Sequence, residues 1–600
     1  MKKIVLYSVL AAAMMIMAGC TAENPYEEFF NNNSNGDWNN GSNGNSATTG
    51  ELATFDISID KTTAEPATSA SESFPDEEDA FEAGDFTTEI AIDLANPKVQ
   101  TENGVEVTFS GGHIVANHGS TKKVCYVVSG TTSNGSLTVL GEKKYAVKFN
   151  GANITNPDSA ALNLLSGKRA FIILADGTTN SLTDGTGGSQ KGALYCKGKL
   201  LFNGSGQLSV TGNANNGIHS ADYIVFNKGN NIYVKSSANH GIKANDGVYI
   251  NGGILNIEVS AAAAKGINCE SHIIVNGGRT TVINAGSGTY DSEDREAKGA
   301  ACIKADSTFT INGGELRLKS TGSGGKGINV DMKASFNGGS VYVVTKGGLY
   351  YNNGTKEYAN YTGNTEQINS TYYTSPKGIR TDGNITISGG RIWVRTSGTN
   401  GEGIETKGTM NITGGEVASY AYDDAINSKG DMTISGGYVY AQGQKNDGLD
   451  ANGNCYISGG TVYAICSGSP EVAIDANSEQ QKKLYVTGGT IVAVGGLESG
   501  SQLTQSCYQA SSWSSSTWYT LTVGSNTFSF QTPSSGGSGI VVSGASQPTL
   551  LSGVSVSGGT QYFGGLAIAD GTVNGGTSVS LSSYSGGSSM GGNQPGGRRF

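Results

Sequence analysis

The 600-residue sequence predicts an all-β chain wound as one single-stranded, right-handed parallel β-helix, an elongated β-solenoid. Three observations carry that expectation. There are 91 glycines and only 15% charged residues, a composition suited to turns and short strands. A unit of the form X-Gly-Ile-Z recurs, with its Gly or Ala at residues 378, 403, 425, 448 and 473, in steps of 22 to 25 residues. A Gly-Gly turn recurs between those units, as in Asn251-Gly252-Gly253, Asn312-Gly313-Gly314, Ser388-Gly389-Gly390 and Thr413-Gly414-Gly415.

At the start, Met1-Lys2-Lys3 and the apolar run from Ile4 to Ala18 have the layout of an export signal. Met17-Ala18-Gly19-Cys20 resembles a bacterial lipobox, which implies acylation of Cys20 and a tethered rather than membrane-spanning chain. The alternative is an ordinary cleaved signal with an incidental cysteine. Residues 1–20 are thus the expected lipoprotein signal, and 21–85, rich in Asn, Gly and Ser and carrying Asp76-Glu77-Glu78-Asp79, the expected flexible tether. The β-helix is expected over 86–496. A β cap with Trp513 and Trp518 should cover 497–583, and a Gly/Ser tail 584–600. The expected location is the outer membrane or cell surface, as a lipid-anchored monomer.

A repeat of this length suits either a leucine-rich horseshoe or a coil of short strands. The first needs a helical segment and a Leu/Asn framework, and neither is present. Each unit instead holds about three strand-length pieces. Coils stacked about 4.8 Å apart turn sequence period into columns of side chains. Ile242, Ile267, Ile328, Ile379, Ile404, Ile426 and Ile474 should form one buried ladder. Beside it lies a row of small inward residues: Cys196, Ala244, Cys269, Ser428, Ala451 and Ala476. The seven cysteines after Cys20 include no CxxC pair, so burial is preferred to a disulfide framework or zinc site.

Positions X and Z are expected at the surface. X runs through Asn216, His240, Lys265, Lys298, Lys326, Lys377, Glu402, Asp424 and Asp447. Z runs through His219, Lys243, Asn268, Asn329, Arg380, Glu405, Asn427, Asp450 and Asp475. One edge is therefore basic in its first half and acidic in its second. The net charge of −11, with no clustered Lys or Arg, argues against nucleic acid as a partner.

Residues 145–154 (Tyr145-Ala146-Val147-Lys148-Phe149 onward) and 173–185 (Ile173-Leu174-Ala175-Asp176-Gly177 onward), followed by the Gly-Ile and Gly-Gly repeats, resemble a family of bacterial carbohydrate-binding β-helix proteins. The resemblance covers roughly residues 88 to 496. It implies a pectate-lyase-like fold that binds acidic, uronic-acid-containing polysaccharide, with calcium held by acidic residues. The family's Asp-Asp-(Ala/Gly)-Ile-(Asp/Asn) motif matches Asp423-Asp424-Ala425-Ile426-Asn427 and, less fully, Asn446-Asp447-Gly448-Leu449-Asp450. In the middle coils Lys stands before Gly where the motif has Asp.

Calcium takes six to eight oxygen ligands, which stacked carboxylates can supply. The candidate ligands are Asp423, Asp424, Asn427, Asp447 and Asp450, with Glu402 and Glu405 beside them. The alternative is a solvated acidic edge relieved by Lys377, Lys429 and Lys445. Candidate carbohydrate contacts are Lys265, Lys298, Lys326, Lys377 and Arg380, whose spacing suits a repeating anion, although lysines can equally snorkel over the wall. Two insertions break the period before Lys298 and Lys377. The larger, from Gly347 to Pro376, supplies Tyr350, Tyr351, Tyr372 and Tyr373 as candidate sugar-stacking rings, or else a loop folded onto the wall. Three functions compete: a surface carbohydrate-binding protein, a polysaccharide lyase using Lys377 or Arg380 as base, and a structural adhesin or spacer.

Overall fold

Glycine corners decide how each repeat closes into one turn of the solenoid. In one coil the chain runs through the strands Lys377–Thr381, Asn384–Ile387 and Arg391–Thr396 and re-enters the first face at Glu402–Thr406. The corner between the second and third strands is the Gly-Gly turn, whose second glycine takes a left-handed conformation (φ 79° at Gly390) that a side chain would resist. The repeat glycine answers a different need. A Cβ on Gly378 would lie 2.2 Å from Val394 Cγ1 and 2.6 Å from the Gly403 carbonyl oxygen, so the first face can close on the third only where no side chain intervenes.

This computed structural model describes residues 51–59, 66, 70–82, 84–352, 357–358 and 370–586. The first face is a 15-stranded sheet that contains the Gly-Ile strands. The second and third faces form a 29-stranded sheet, joined where the long strands Tyr145–Asn156, Cys455–Ile465 and Leu484–Val494 turn the corner without a break. The result is an all-β parallel solenoid with almost no helix, as expected.

The aliphatic ladder forms in register. Ile218, Ile242, Ile267, Ile303, Ile328, Ile379, Ile404, Ile426, Leu449 and Ile474 pair coil to coil, all fully buried. Each such side chain contributes about 1.5–3 kcal/mol of hydrophobic burial. The seven cysteines among the described residues are free and buried.

The register corrects one column member. Lys265 pairs with Ala301, and Ala301 with Lys326, so Lys298 lies off the stack. It sits instead in a hairpin of Thr289–Asp291 with Glu296–Lys298, ion-paired to Asp291 (3.0 Å) and Asp294. The Lys-Gly dipeptide at 298–299 imitated the repeat, while the true coil, Ala301-Cys302-Ile303-Lys304, lacks its glycine.

Two further expectations change. The segment 21–85 is not tether throughout, because its apolar residues dock. Leu52, Phe55 and Ile57 are buried beside Trp393, and Phe81 packs on Phe171. The acidic run anchors Arg169, whose Nε donates to the fully buried Asp79 (2.5 Å), while its terminal nitrogens reach Glu78 (2.5 Å) and Asp76 (2.9 Å). At the other end, Cys507–Ala510 and Ile540–Ser543 add antiparallel strands to the last coil. A separate six-stranded antiparallel sheet, from Trp518–Val523 to Thr572–Val579, folds back over the third face and covers Trp393, Tyr440 and Tyr463. The signal with Cys20, the tail from 587 and the centre of the tyrosine-rich insertion lie outside the described residues.

Candidate functional site

The first face presents X and Z side by side along the solenoid, so that each coil adds one pair of side chains to a continuous stripe. The stripe is real in register: Lys377 pairs with Glu402, Arg380 with Glu405, Glu405 with Asn427, and Asn427 with Asp450. It is far less exposed than sequence alternation implies. Lys326, Lys377, Asp424 and Asp447 retain only 8%, 5%, 5% and 7% of their accessible surface. Stacked neighbours cover them above and below, and the residues flanking the tyrosine-rich insertion cover part of the basic half.

In that basic half the lysines turn inward to local partners instead of facing outward as a row. Lys265 Nζ donates to the carbonyl oxygens of Ala263 and Gly299 (2.8 Å for the latter). Burial, followed by Lys304 and Lys298, brings its amine down to about 8. Lys326 Nζ donates to Thr374 Oγ1 (2.6 Å), and burial together with Arg380 and Lys377 holds it well below the usual lysine range. Tyr350 is buried, whereas Tyr351, Tyr372 and Tyr373 are half-buried, and Tyr372 stacks on Tyr290 of the neighbouring hairpin (5.6 Å between centroids). The two insertions thus pack on each other and wall one side of the stripe.

The charge reversal falls between two coils. Lys377 Nζ lies 2.5 Å from Glu402 Oε1 and 3.3 Å from Glu405 Oε2, and Arg380 Nε lies 3.6 Å from Glu405 Oε2. Arg380 also donates to Asn329 Oδ1 (3.0 Å) and Asp382 Oδ1 (2.6 Å). Burial opposes the charge on Lys377, yet the two glutamates raise it above the ordinary lysine range. Burial pushes Glu402 up to about 8, and its Oε2 is buried without a hydrogen-bond partner. For Glu405, burial is outweighed by Lys377 and Arg380, which hold it below the ordinary carboxylate range. Glu402 and Glu405, expected among the metal ligands, are therefore engaged by Lys377 and Arg380.

Beyond them every charged residue of the stripe is acidic among the described residues. Asn427 Nδ2 donates to Asp424 Oδ2 (3.2 Å) and Asp450 Oδ2 (3.0 Å), joining X to Z across two coils. Asp424 Oδ1 accepts from the Asp447 amide (3.1 Å) and Asp447 Oδ1 from the Val472 amide (2.7 Å). Carboxylate oxygens of Asp447, Asp450 and Asp475 lie within 4.8 Å of one another. Burial, then neighbouring carboxylates, raises all of them: Asp424 and Asp447 well above the ordinary range and Asp450 to about 7. Asp475, which shares a hydrogen bond with Glu498, rises to about 11. The expected relief by Lys429 and Lys445 is absent among the described residues, since the charges that act most on these aspartates are carboxylates.

This donor set fits a hard cation. Oxygens bound to calcium at about 2.3–2.6 Å can stand no more than about 5 Å apart, and the triad meets that limit. Asp475 was left out of the sequence-derived ligand set, although its place as Z of Val472-Ala473-Ile474-Asp475 was the available signal. Glu498 comes from a coil that has lost the repeat, and no pattern marks it.

A family model described as carbohydrate-binding domain-containing protein matches residues 110–421 and 348–448. A protein of that description from Acetivibrio thermocellus is 32% identical over 149 residues, which are 23% of this chain and 50% of the relative. The chain thus spans about half the length of the curated relative it matches. Among solved structures, a polysaccharide lyase-like protein from C. thermocellum, in a gadolinium derivative, aligns over 42% of this chain and 92% of its own, with 25% identity and a TM-score of 0.31. With more than half of its length matched by the family model, the chain belongs to the carbohydrate-binding domain-containing protein family.

Proposed function

We propose that this protein binds acidic polysaccharide along its first face, with calcium held by Asp424, Asp447, Asp450 and Asp475 and by the Asn427 side-chain oxygen. The observation that carries the reading is the run of buried (Asp424, Asp447) and half-buried (Asp450, Asp475) carboxylates that make no ion pair with lysine or arginine among the described residues, directly beyond the coil where Lys377 and Arg380 are paired. Like charges stacked at strand spacing are destabilising unless a cation joins them. A bound calcium ion would neutralise the carboxylates and leave coordination positions open to a uronate.

Binding is favoured over cleavage by the state of Lys377. A lyase base must give up its proton near neutral pH, and Lys377 is held protonated between two glutamates. The proposed setting is the cell surface, through a lipid on Cys20. Titration calorimetry with polygalacturonate should show binding in calcium that disappears in EGTA and in the Asp450→Asn/Asp475→Asn variant. Equal binding in EGTA and calcium would defeat the proposal. Appearance of ultraviolet absorbance from unsaturated uronide would instead favour the lyase.

A further inference from the structure

The C-terminal sheet does not close completely on the third face. Between them lies a small cleft that opens to solvent. Its solenoid side comes from three consecutive coils, because Tyr438, Thr461 and Thr490 stand in register. Their side chains therefore rise in a row about 4.8 Å apart. The opposite side is the hairpin of Trp518–Val523 with Asn526–Gln531, and the strand Ala567–Ala569 with the Asp570 that follows it.

The lining combines two kinds of surface. Val523 and the edge of Phe528, backed by the buried Leu521, give a small apolar floor, and the Tyr438 ring is fixed by stacking on Tyr562 (3.6 Å between centroids, 15° between planes). Around that floor the polar groups keep capacity to spare. The hydroxyls of Thr461 and Thr490 have no hydrogen-bond partner among the described residues. Asp570 Oδ1 accepts from the Thr527 amide (3.2 Å), which leaves Oδ2 open. Asn526 Oδ1 accepts from Ser525 Oγ (3.4 Å), which leaves its two N–H groups to donate. Two free hydroxyls, a carboxylate oxygen and an amide around a small apolar floor match a sugar ring, with apolar C–H faces and a polar rim. Among the described residues, no Lys, Arg or His lines the cleft. A uronate would find no counter-charge there and would face Asp570.

We propose that this cleft is a second carbohydrate site, taking one neutral sugar residue without a metal ion. It is independent of the acidic stripe, which lies on a different face of the solenoid. Saturation-transfer NMR on the full chain in EGTA tests it, with the methyl β-glycosides of glucose, galactose, xylose and glucuronic acid as probes. At least one neutral glycoside should receive saturation and the glucuronoside should not. The nearly isosteric Thr461→Val/Thr490→Val variant removes two hydroxyl partners and should weaken that binding about tenfold, and Asp570→Asn should weaken it separately. Asp450→Asn/Asp475→Asn should leave it unchanged, whatever becomes of polygalacturonate binding. The site is refuted if no neutral glycoside is saturated, if the glucuronoside is saturated equally, or if the signal survives both cleft variants.

Discussion

Replacing Asp450 by Asn should tighten the calcium-free protein, the reverse of the usual outcome for a buried polar residue. The amide keeps the shape, and its oxygen can still accept from Asn427 Nδ2, 3.0 Å away in the wild type. What disappears is one charge among three carboxylates whose oxygens lie within 4.8 Å of each other. Two full charges at that distance repel by about 3 kcal/mol at the effective dielectric of a partly buried site. Protons retained by Asp447 and Asp475 reduce the repulsion, but burial also penalises the Asp450 charge, and Asp423 and Glu471 repel it, so a gain of about 2 kcal/mol is expected, or about thirtyfold slower local opening. Hydrogen exchange read by mass spectrometry on peptides spanning 424–475, in EGTA at about pH 8, measures it directly. Added calcium should slow exchange strongly in the wild type and weakly in Asp450→Asn. Faster exchange in Asp450→Asn without calcium would mean that the carboxylate stabilises the coil by itself, and the cation argument would collapse.

Other outcomes follow from the same geometry. Because Asp424, Asp447, Asp450 and Asp475 hold protons in the folded chain that the unfolded chain releases above about pH 4, their contribution to stability falls as pH rises. The midpoint difference between wild type and Asp450→Asn/Asp475→Asn in EGTA should be near zero at about pH 4 and widen toward about pH 8; a constant difference would contradict the raised carboxylates. Arg169→Met strands the buried Asp79 and should cost about 3 kcal/mol, read as early proteolysis between residues 70 and 86, and unchanged protection there would refute the anchoring role. Gly378→Ala should cost about 1–3 kcal/mol through overpacking, with partial recovery in Gly378→Ala/Val394→Ala; no recovery would place the strain elsewhere.

The inward half of the solenoid was legible because it repeats the same residue at one spacing. A ladder of Ile242, Ile267 and Ile328 requires stacking, and the register shows it. The wall even explains an exception: Ala425 replaces the repeat glycine in a coil where the position in line with Val394 has shrunk to Ala441. The outward half was less legible. Alternation says which way a side chain points and nothing about what lies over it, so Lys326 was expected in solvent and is found under Thr374. Lys298 followed a dipeptide rather than a coil. The docked arm was hidden by its composition, since Asp76-Glu77-Glu78-Asp79 reads as solvated chain until Arg169, far along the sequence, is brought beside it.

That arm runs backwards along the coils. Asp56 meets Lys319 and Lys346, Ser73 meets Asn251 and Asn276, and Asp79 meets Arg169, so the contacts step down the solenoid as the chain climbs toward its first strand at Thr88. A pull delivered through residue 51 is therefore received near Trp393 and Arg395, not at the first turn of the spring. The load must strip a long seam of side-chain contacts before the coils are drawn apart, which makes the arm a strain relief for the rest of the molecule.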